Sequence, residues 1–446
     1  MRGARGPGRL RILLTNRSLE QRAGSELYLF ELATRLLARG HSPLAFSPRL
    51  GRVAEALRSA TIPVVDDLNA IGEPPDLIHG QHHLAAMTAM LHFPRVPGLF
   101  VCHGWQPWEE TPPRFPRFLR YVAVDFTTRE RLVSERGIPP ERVEVVLNFV
   151  DLDRFQPRPP LPPRPRRALV FSNQASERTF LPAVREACSR FGIAVDVIGV
   201  ASGGPVERPE ELLPGYDLVF AKGRAALEAM AVGAAVVLCD QAGSGPLVTS
   251  GDFGRLRPLN FGIRTLRNAV TPDFLASQIE RYDPKDAAEV SRRLRATAGI
   301  DEAVDRMIGL YEEVLTEHRE RGNPPPEEES RAASAYLRWL SPYFDEREWL
   351  GMEVARLGTE AGHRGAEGDR LDGEVGRLGA ETTHLGAEVG RLSADKTHLS
   401  AEATLLRQEI QALQSTATWR MRDRLLRITP LLRTYRRLRG SDRRER

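Results

Sequence analysis

Two α/β domains built on parallel sheets, followed by a long C-terminal helix, are what this sequence of 446 residues predicts. Three observations carry that expectation. Residues 216–240 read as strand, tight break, helix and strand, which is a βαβ unit with a parallel pair. Residues 10–46 read the same way, with a polar loop between strand and helix. Between the two units lies RPPLPPRPRR, residues 158–167, whose prolines favour an extended, semi-rigid spacer.

The unit at 216–240 is the most informative. Residues 216–221 are a short apolar run, and Lys222-Gly223-Arg224 breaks it. Residues 225–232 are rich in Ala, Leu and Met, which favour helix. Gly233 stands where a helix stops, and 234–239 is a second buried strand. Within that helix Glu228 has Ala226, Leu227, Ala229, Met230 and Ala231 as neighbours. A buried carboxylate is costly unless paired or hydrogen-bonded. Two readings of Glu228 stand: an ion pair with Arg224 four residues earlier, or an acceptor for a ligand's vicinal hydroxyls. The helix start at Gly223-Arg224 would offer N–H groups and a cation to a phosphate.

GRAALEAMAVGAAVV, residues 223–237, resembles the donor-site helix of GT-B glycosyltransferases, in particular the large retaining family four. The resemblance implies two Rossmann-like domains facing a cleft, covers about residues 8–320, and places Glu228 on the donor ribose. The family usually has another Glu eight residues earlier, where this chain has Phe220. It also usually has an Arg where this chain has Asn173, and a Lys where it has Arg178. Arg178 is then the surviving cation for the diphosphate, with a planar fork suited to bidentate contact; an ordinary surface arginine is the other reading.

Taken in order, the strand 10–15 leads through a polar loop to Gly24 and the helix 26–39, which Gly40 ends before the strand 43–46. Gly24 is a turn glycine or, by resemblance, part of the loop beneath the donor phosphate and sugar. The strand 98–102 delivers His103 to a loop at its C-terminal end, where ligands of open parallel sheets bind. The resemblance sets His103 beside the donor sugar; a packing or loop histidine is the alternative. His79, His82, His83 and His92 lack metal-ligand spacing and read as surface or core residues. Asn148-Phe149-Val150-Asp151 is a close variant of the segment that ends the N-terminal domain in the family. Asp151 and Asp153 are therefore given a structural role and no metal. Residues 241–245 read as a Gly-rich loop facing the donor sugar. The amphipathic helix 302–316 would, by resemblance, cross back onto the N-terminal domain.

The division that follows is an N-terminal, acceptor-side domain 1–157, a linker 158–167, a donor domain 168–320, a linker 321–346, a coiled coil 347–416 and a basic amphipathic tail 417–446. Leu350, Leu357, Leu371, Leu378, Leu385, Leu392, Leu399, Leu406 and Leu413 keep a seven-residue spacing interrupted at Arg364. Val354, Val375, Val389 and Ile410 fall four residues after leucines, the pattern of a parallel two-stranded coiled coil and hence a homo-dimer. Ten glycines between 351 and 390 weaken that helix, and a single extended helix is the other reading. The tail sets eleven arginines after residue 418 among Trp419, Leu425, Leu426, Leu431, Leu432, Tyr435 and Leu438. It reads as an amphipathic helix on an anionic membrane surface or as a basic tail without fixed structure; no nucleic-acid recognition motif accompanies it.

Net charge is +4, and the only lysines are Lys222, Lys285 and Lys396, an arginine bias that reads as base composition. Cys102, Cys188 and Cys239 are far apart and read as reduced core thiols. No signal-type or membrane-spanning stretch appears, so the expected location is cytoplasmic, peripheral on the inner face of the membrane if the tail binds there. The function implied by the resemblance is transfer of a sugar from a nucleotide-sugar donor to a glycan, lipid-linked or other acceptor, with retention of configuration and no cofactor or metal. His103, Arg178 and Glu228 would serve catalysis, and Gly24, Arg178, Gly223, Arg224 and Glu228 would hold the donor. The rival is an inactive glycosyltransferase-like scaffold acting through its coiled coil, favoured by Phe220 and Asn173. An epimerase of similar fold, which also binds a nucleotide sugar, is a third reading.

Overall fold

A computed structural model of the chain describes residues 8–365 apart from residues 23, 106 and 205, with side chains to residue 357. The first domain holds a seven-stranded sheet with the order β3-β2-β1-β4-β5-β6-β7. Its strands are β1 (Arg11–Thr15), β2 (Ser42–Phe46), β3 (Val64–Val65), β4 (Leu77–Gln81), β5 (Gly98–Cys102), β6 (Phe118–Ala123) and β7 (Val143–Val145), all paired in parallel. Helices α1 (Gly24–Ala38), α2 (Arg52–Ser59), α3 (His83–His92) and α4 (Phe126–Glu130) join them. Strands β4 and β5 are buried along their whole length, as expected of parallel strands covered on both faces.

The second domain holds five strands in the order β12-β11-β10-β8-β9. These are β8 (Arg167–Phe171), β9 (Ala194–Ile198), β10 (Leu218–Ala221), β11 (Ala235–Asp240) and β12 (Gly243–Leu247). The first four pair in parallel, and β12 runs antiparallel to β11. Its helices are α5 (Leu181–Ser189), α6 (Pro209–Leu212), α7 (Gly223–Val232), α8 (Ser250–Leu256), α9 (Pro272–Ile279) and α10 (Pro284–Arg295). Gly233 ends α7 at φ +100°, a left-handed geometry that glycine adopts without a Cβ penalty. The segment 241–245, expected as a loop toward the sugar, instead enters β12, where Gly243 and Ser244 are paired with β11.

Helix α11 (Ile300–Arg321) returns to the first domain. Ile300, Val304, Met307, Leu310, Tyr311 and Val314 join the core formed by β1, β4, β5 and α1. The proline-rich spacer is extended but not free: Arg158 pairs with Asp217 at 3.0 Å, and Pro162 accepts a hydrogen bond from the Tyr282 hydroxyl. Asp151 and Asp153 both accept from Arg35 Nη2 at 2.9 Å, which gives them the structural role expected.

The largest departure follows α11. The stretch 321–346 was expected as a linker, yet helix α12 (Pro326–Gly365) begins inside it and packs on the first domain. Its anchor is long-range. Arg117, 1% exposed, donates to Glu329 and to the carbonyls of Phe93 and Val96. The heptad stretch from 366 and the basic tail 417–446 lie outside the described residues. No helix among the described residues is long and apolar enough to cross a membrane.

Candidate active site

The C-terminal ends of the two sheets face each other across a cleft of about 1040 Å³. Strand-to-helix connections line it, as the geometry of open parallel sheets requires. Gly24, Arg52, His103, Asp125 and Arg154 come from the first domain and its closing segment. Asn173, Lys222, Gly223, Arg224, Glu228 and Asp240 come from the second.

On the second domain, β10 passes into α7 through the single residue Lys222. Gly223 has φ +57° and its N–H is bonded to the Phe261 carbonyl, so this sharp entry requires glycine. The turn aims the start of α7, a natural anion site, at the cleft. Glu228 lies one turn further, 5% exposed, and accepts a hydrogen bond of 2.8 Å from Arg224 Nε. Burial raises its pKa; Arg224 opposes that and Glu31 adds to it. Arg224 also donates to Glu31 of α1, in the other domain. Burial works against the Arg224 charge, but Glu31 and Glu228 more than compensate and hold its pKa up. Arg154 pairs with Glu31 at 3.2 Å and with Glu210 at 2.8 Å. One oxygen of Glu31, Oε2, is buried with no partner. The two domains are thus joined by a chain of alternating charges, Glu210–Arg154–Glu31–Arg224–Glu228. The ion-pair reading of Glu228 holds, and the same side chain lines the cleft.

On the first domain, Gly24 opens α1, and a Cβ there would meet nothing within 4 Å. His103 follows β5 as expected. Its Nε2 lies 2.8 Å from Gln81 Oε1, its N–H donates to Glu110 Oε2 at 2.9 Å, and its ring meets Tyr28 edge-on at 4.6 Å. Burial lowers its pKa to about 4 against the opposing pull of Glu110, so the ring is neutral at pH 7. His103 also borders a second pocket of about 350 Å³ with Ser25, Glu26, His82 and Glu110. His82 pairs with Glu110 at 3.3 Å. Burial opposes the His82 charge, but Glu110, Glu109 and Glu26 outweigh it and raise the pKa.

The expected residues therefore divide. Gly24, His103, Gly223, Arg224 and Glu228 converge on one cleft. Arg178 does not: it is exposed in the turn after β8 and does not line the cleft. A cation was expected there because Arg178 stands where the resembling family has a Lys, but the turn leaves the residue exposed. Lys222 lines the cleft instead, 3.4 Å from Asp240. Its position as one of three lysines in an arginine-rich chain, at the helix start, was an available signal. Asn173 lines the cleft and accepts from the Val200 N–H at 3.3 Å. Phe220 is fully buried with Val170, Val237 and Leu275, so its side chain serves the core. Glu31 was missed, although it interrupts the apolar stripe Tyr28, Leu29, Leu32, Leu36 much as Glu228 interrupts its own helix. His79 is a core residue, bonded through Nδ1 to the Tyr311 hydroxyl at 2.8 Å, whereas His82 belongs to the second pocket.

Residues 22–154 match the family model described as Glycosyltransferase Family 4. Among solved structures, the chain is similar to a glycosyltransferase from Rickettsia africae at 15% identity and TM-score 0.52. That match covers 69% of this chain and 99% of the other. It is also similar to HepE of Anabaena in complex with UDP and glucose, at 15% identity and TM-score 0.52, over 68% of this chain and 99% of that one. At that identity the likeness establishes the fold. No curated protein matches the sequence. Residues 22–154 thus resemble Glycosyltransferase Family 4, in a chain whose two facing parallel-sheet domains make the GT-B fold.

Proposed function

We propose that the chain transfers a glycosyl group from a nucleoside-diphosphate sugar to a hydroxyl-bearing acceptor. One observation carries the reading. A helix start with Lys222 and Arg224, and a carboxylate one turn along, face a neutral histidine across a cleft between two domains. Glu228 accepts hydrogen bonds from the ribose hydroxyls. The free N–H groups of α7, Lys222 and Arg224 take the diphosphate and stabilise the charge that develops on it as the bond to the sugar breaks. His103 and Gly24 border the sugar from the first domain, which also receives the acceptor. These cations serve the phosphates without a metal ion, and configuration at the sugar is retained. HepE, the Anabaena relative, was solved with UDP and glucose, so a uridine diphosphate sugar is the first donor to try.

We extend the reading to the C-terminus on its sequence pattern: the heptads join two copies and the basic tail holds them to an anionic membrane surface from the cytoplasmic side. That placement suits synthesis of a cell-surface glycan or glycoconjugate on a lipid-linked acceptor. Light scattering of the full chain and its sedimentation with anionic vesicles at low salt test the two parts separately. A monomer excludes the first, and protein left in the supernatant excludes the second.

A scaffold without chemistry is the second reading. It is favoured by Phe220 in the core and by the carboxylates already occupying Arg224, Arg154, Arg52 and Lys222. A panel of nucleotide sugars, assayed by calorimetry and by released nucleotide, separates the two. Binding with turnover supports transfer, whereas neither binding nor turnover leaves the scaffold.

A further inference from the structure

The loop that carries His103 does not rest on its own domain alone. Glu110 is 3% exposed and ties the loop together: it accepts from the His103 N–H at 2.9 Å and faces His82 Nε2 at 3.3 Å. Cys102 Sγ lies 3.2 Å from its carbonyl. Both members of the His82–Glu110 pair have a chain neighbour gripped by α12. Trp108 opens the short turn that ends at Glu110, and its ring stacks on Tyr343 at 5.4 Å and 22°. His83, next to His82, is fully buried; its Nδ1 lies 2.7 Å from the Tyr336 hydroxyl, and its ring meets Trp339 at 5.0 Å and Trp108 at 4.5 Å. His82 itself has φ +53°, a left-handed conformation that a non-glycine side chain holds only when its surroundings impose it. Its Nδ1 accepts from the Arg17 N–H at 3.1 Å.

We propose that α12 is a working part of the cleft: Tyr336, Trp339 and Tyr343 act as positioning residues that hold the His82–Glu110 pair and, through it, His103. The helix is built for this duty. Arg117 and Glu329 fix its first turns, and the aromatic grip lies two to four turns further on. The opposite face contributes nothing, since Leu337 and Phe344 are 63% and 59% exposed. Together, 69% of this chain covers almost the whole of its solved relatives, so the remainder is additional to the shared fold.

The effect on turnover rests on the proposed sugar transfer; the effect on the loop does not. The test uses the full chain with Trp339→Ala/Tyr343→Ala, the single Tyr343→Ala, and Trp339→Phe/Tyr343→Phe. Amide hydrogen exchange of residues 103–111 should rise about tenfold or more in the double alanine variant, with peptides from α7 unchanged. With a turned-over donor, kcat should fall about tenfold while nucleotide affinity and donor KM stay within about twofold, because α7 is untouched. The double phenylalanine variant should restore both, and Leu337→Ala/Phe344→Ala should change neither. Should the double alanine variant not fold, the half-exposed Tyr343 alone supplies the exchange comparison. Wild-type exchange over 103–111 in a folded alanine variant overturns the proposal, as does a fall in nucleotide affinity that accounts for the whole loss of turnover. If no donor is turned over by the wild type, sugar transfer fails as a reading and the exchange data still decide this one.

Discussion

Replacing Glu31 by Gln should tighten binding of a nucleoside diphosphate while weakening the join between the domains. In the cleft, Glu31 Oε1 accepts from both Arg224 and Arg154, and its side chain is only 3% exposed. The amide keeps an acceptor oxygen but removes the charge. Both bonds keep a charged donor and lose only the acceptor's charge, so each falls toward the low end of the about 1.5–3 kcal/mol of a hydrogen bond to a charged group, and the two together cost roughly 2 kcal/mol. The cost stays below the roughly 3–5 kcal/mol of a broken buried pair, because neither cation is left alone. Arg224 keeps Glu228 at 2.8 Å, and Arg154 keeps Glu210 at 2.8 Å. On the proposed reading, a diphosphate competes with Glu31 for Arg224. With the competitor neutral, the ligand should gain about 1.4 kcal/mol, or tenfold in affinity. Calorimetric titration with UDP at two salt concentrations, beside urea denaturation, measures both effects. A folded variant that binds UDP no better than wild type would refute the idea that Glu31 holds Arg224 back from the phosphates.

Three further outcomes are expected. Glu228→Ala should weaken nucleotide-sugar binding by on the order of 1.5–3 kcal/mol with the fold intact; equal affinity in calorimetry would remove the ribose role. His103→Ala should lower turnover more than nucleotide affinity, since the proposed function has the second domain hold the nucleotide; steady-state kinetics beside equilibrium binding distinguish the two, and the reverse pattern would contradict the placement. The third concerns pH. Burial lowers the pKa of His79 to about 3 in the folded chain. Its unfolded value is about 6.5, so the unfolded state binds the extra proton in between, and the stabilisation is full above about 6.5 and is lost as pH falls. Between pH 6.5 and 5 the loss for this one residue is roughly 2 kcal/mol. Urea midpoints measured across that range should decline, and a flat profile would speak against a buried neutral His79.

Much of the framework was legible because it is local. Parallel strands buried on both faces read as short apolar runs, and β1, β5 and β10 fell within a residue or two of where those runs lie. Gly223 and Gly233, which bound α7, are marked by backbone requirements that few other residues meet. Glu228 stood out because a carboxylate among apolar neighbours must find a partner, and Arg224 one helical turn away was a visible candidate.

Partners distant in sequence were decided only by the tertiary structure. Glu31 and Arg224 are 193 residues apart, and Arg117 and Glu329 are 212 apart. No periodicity or spacing rule connects such pairs; they meet because two sheets face each other and α12 folds back. The same reason explains the cations. The resemblance favoured Arg178, but which cation enters the cleft depends on the direction of the turn that bears it, and that direction favours Lys222. It explains the region 326–346 as well. Its prolines and glutamates read as a linker, yet Tyr336, Trp339 and Tyr343 find a surface on the first domain whose shape only the assembled fold supplies. The sequence by itself determined two parallel-sheet domains and a carboxylate-bearing helix between strands. The packed chain decided which charges share the cleft and what holds its loops, because burial makes a distant side chain the only partner within reach.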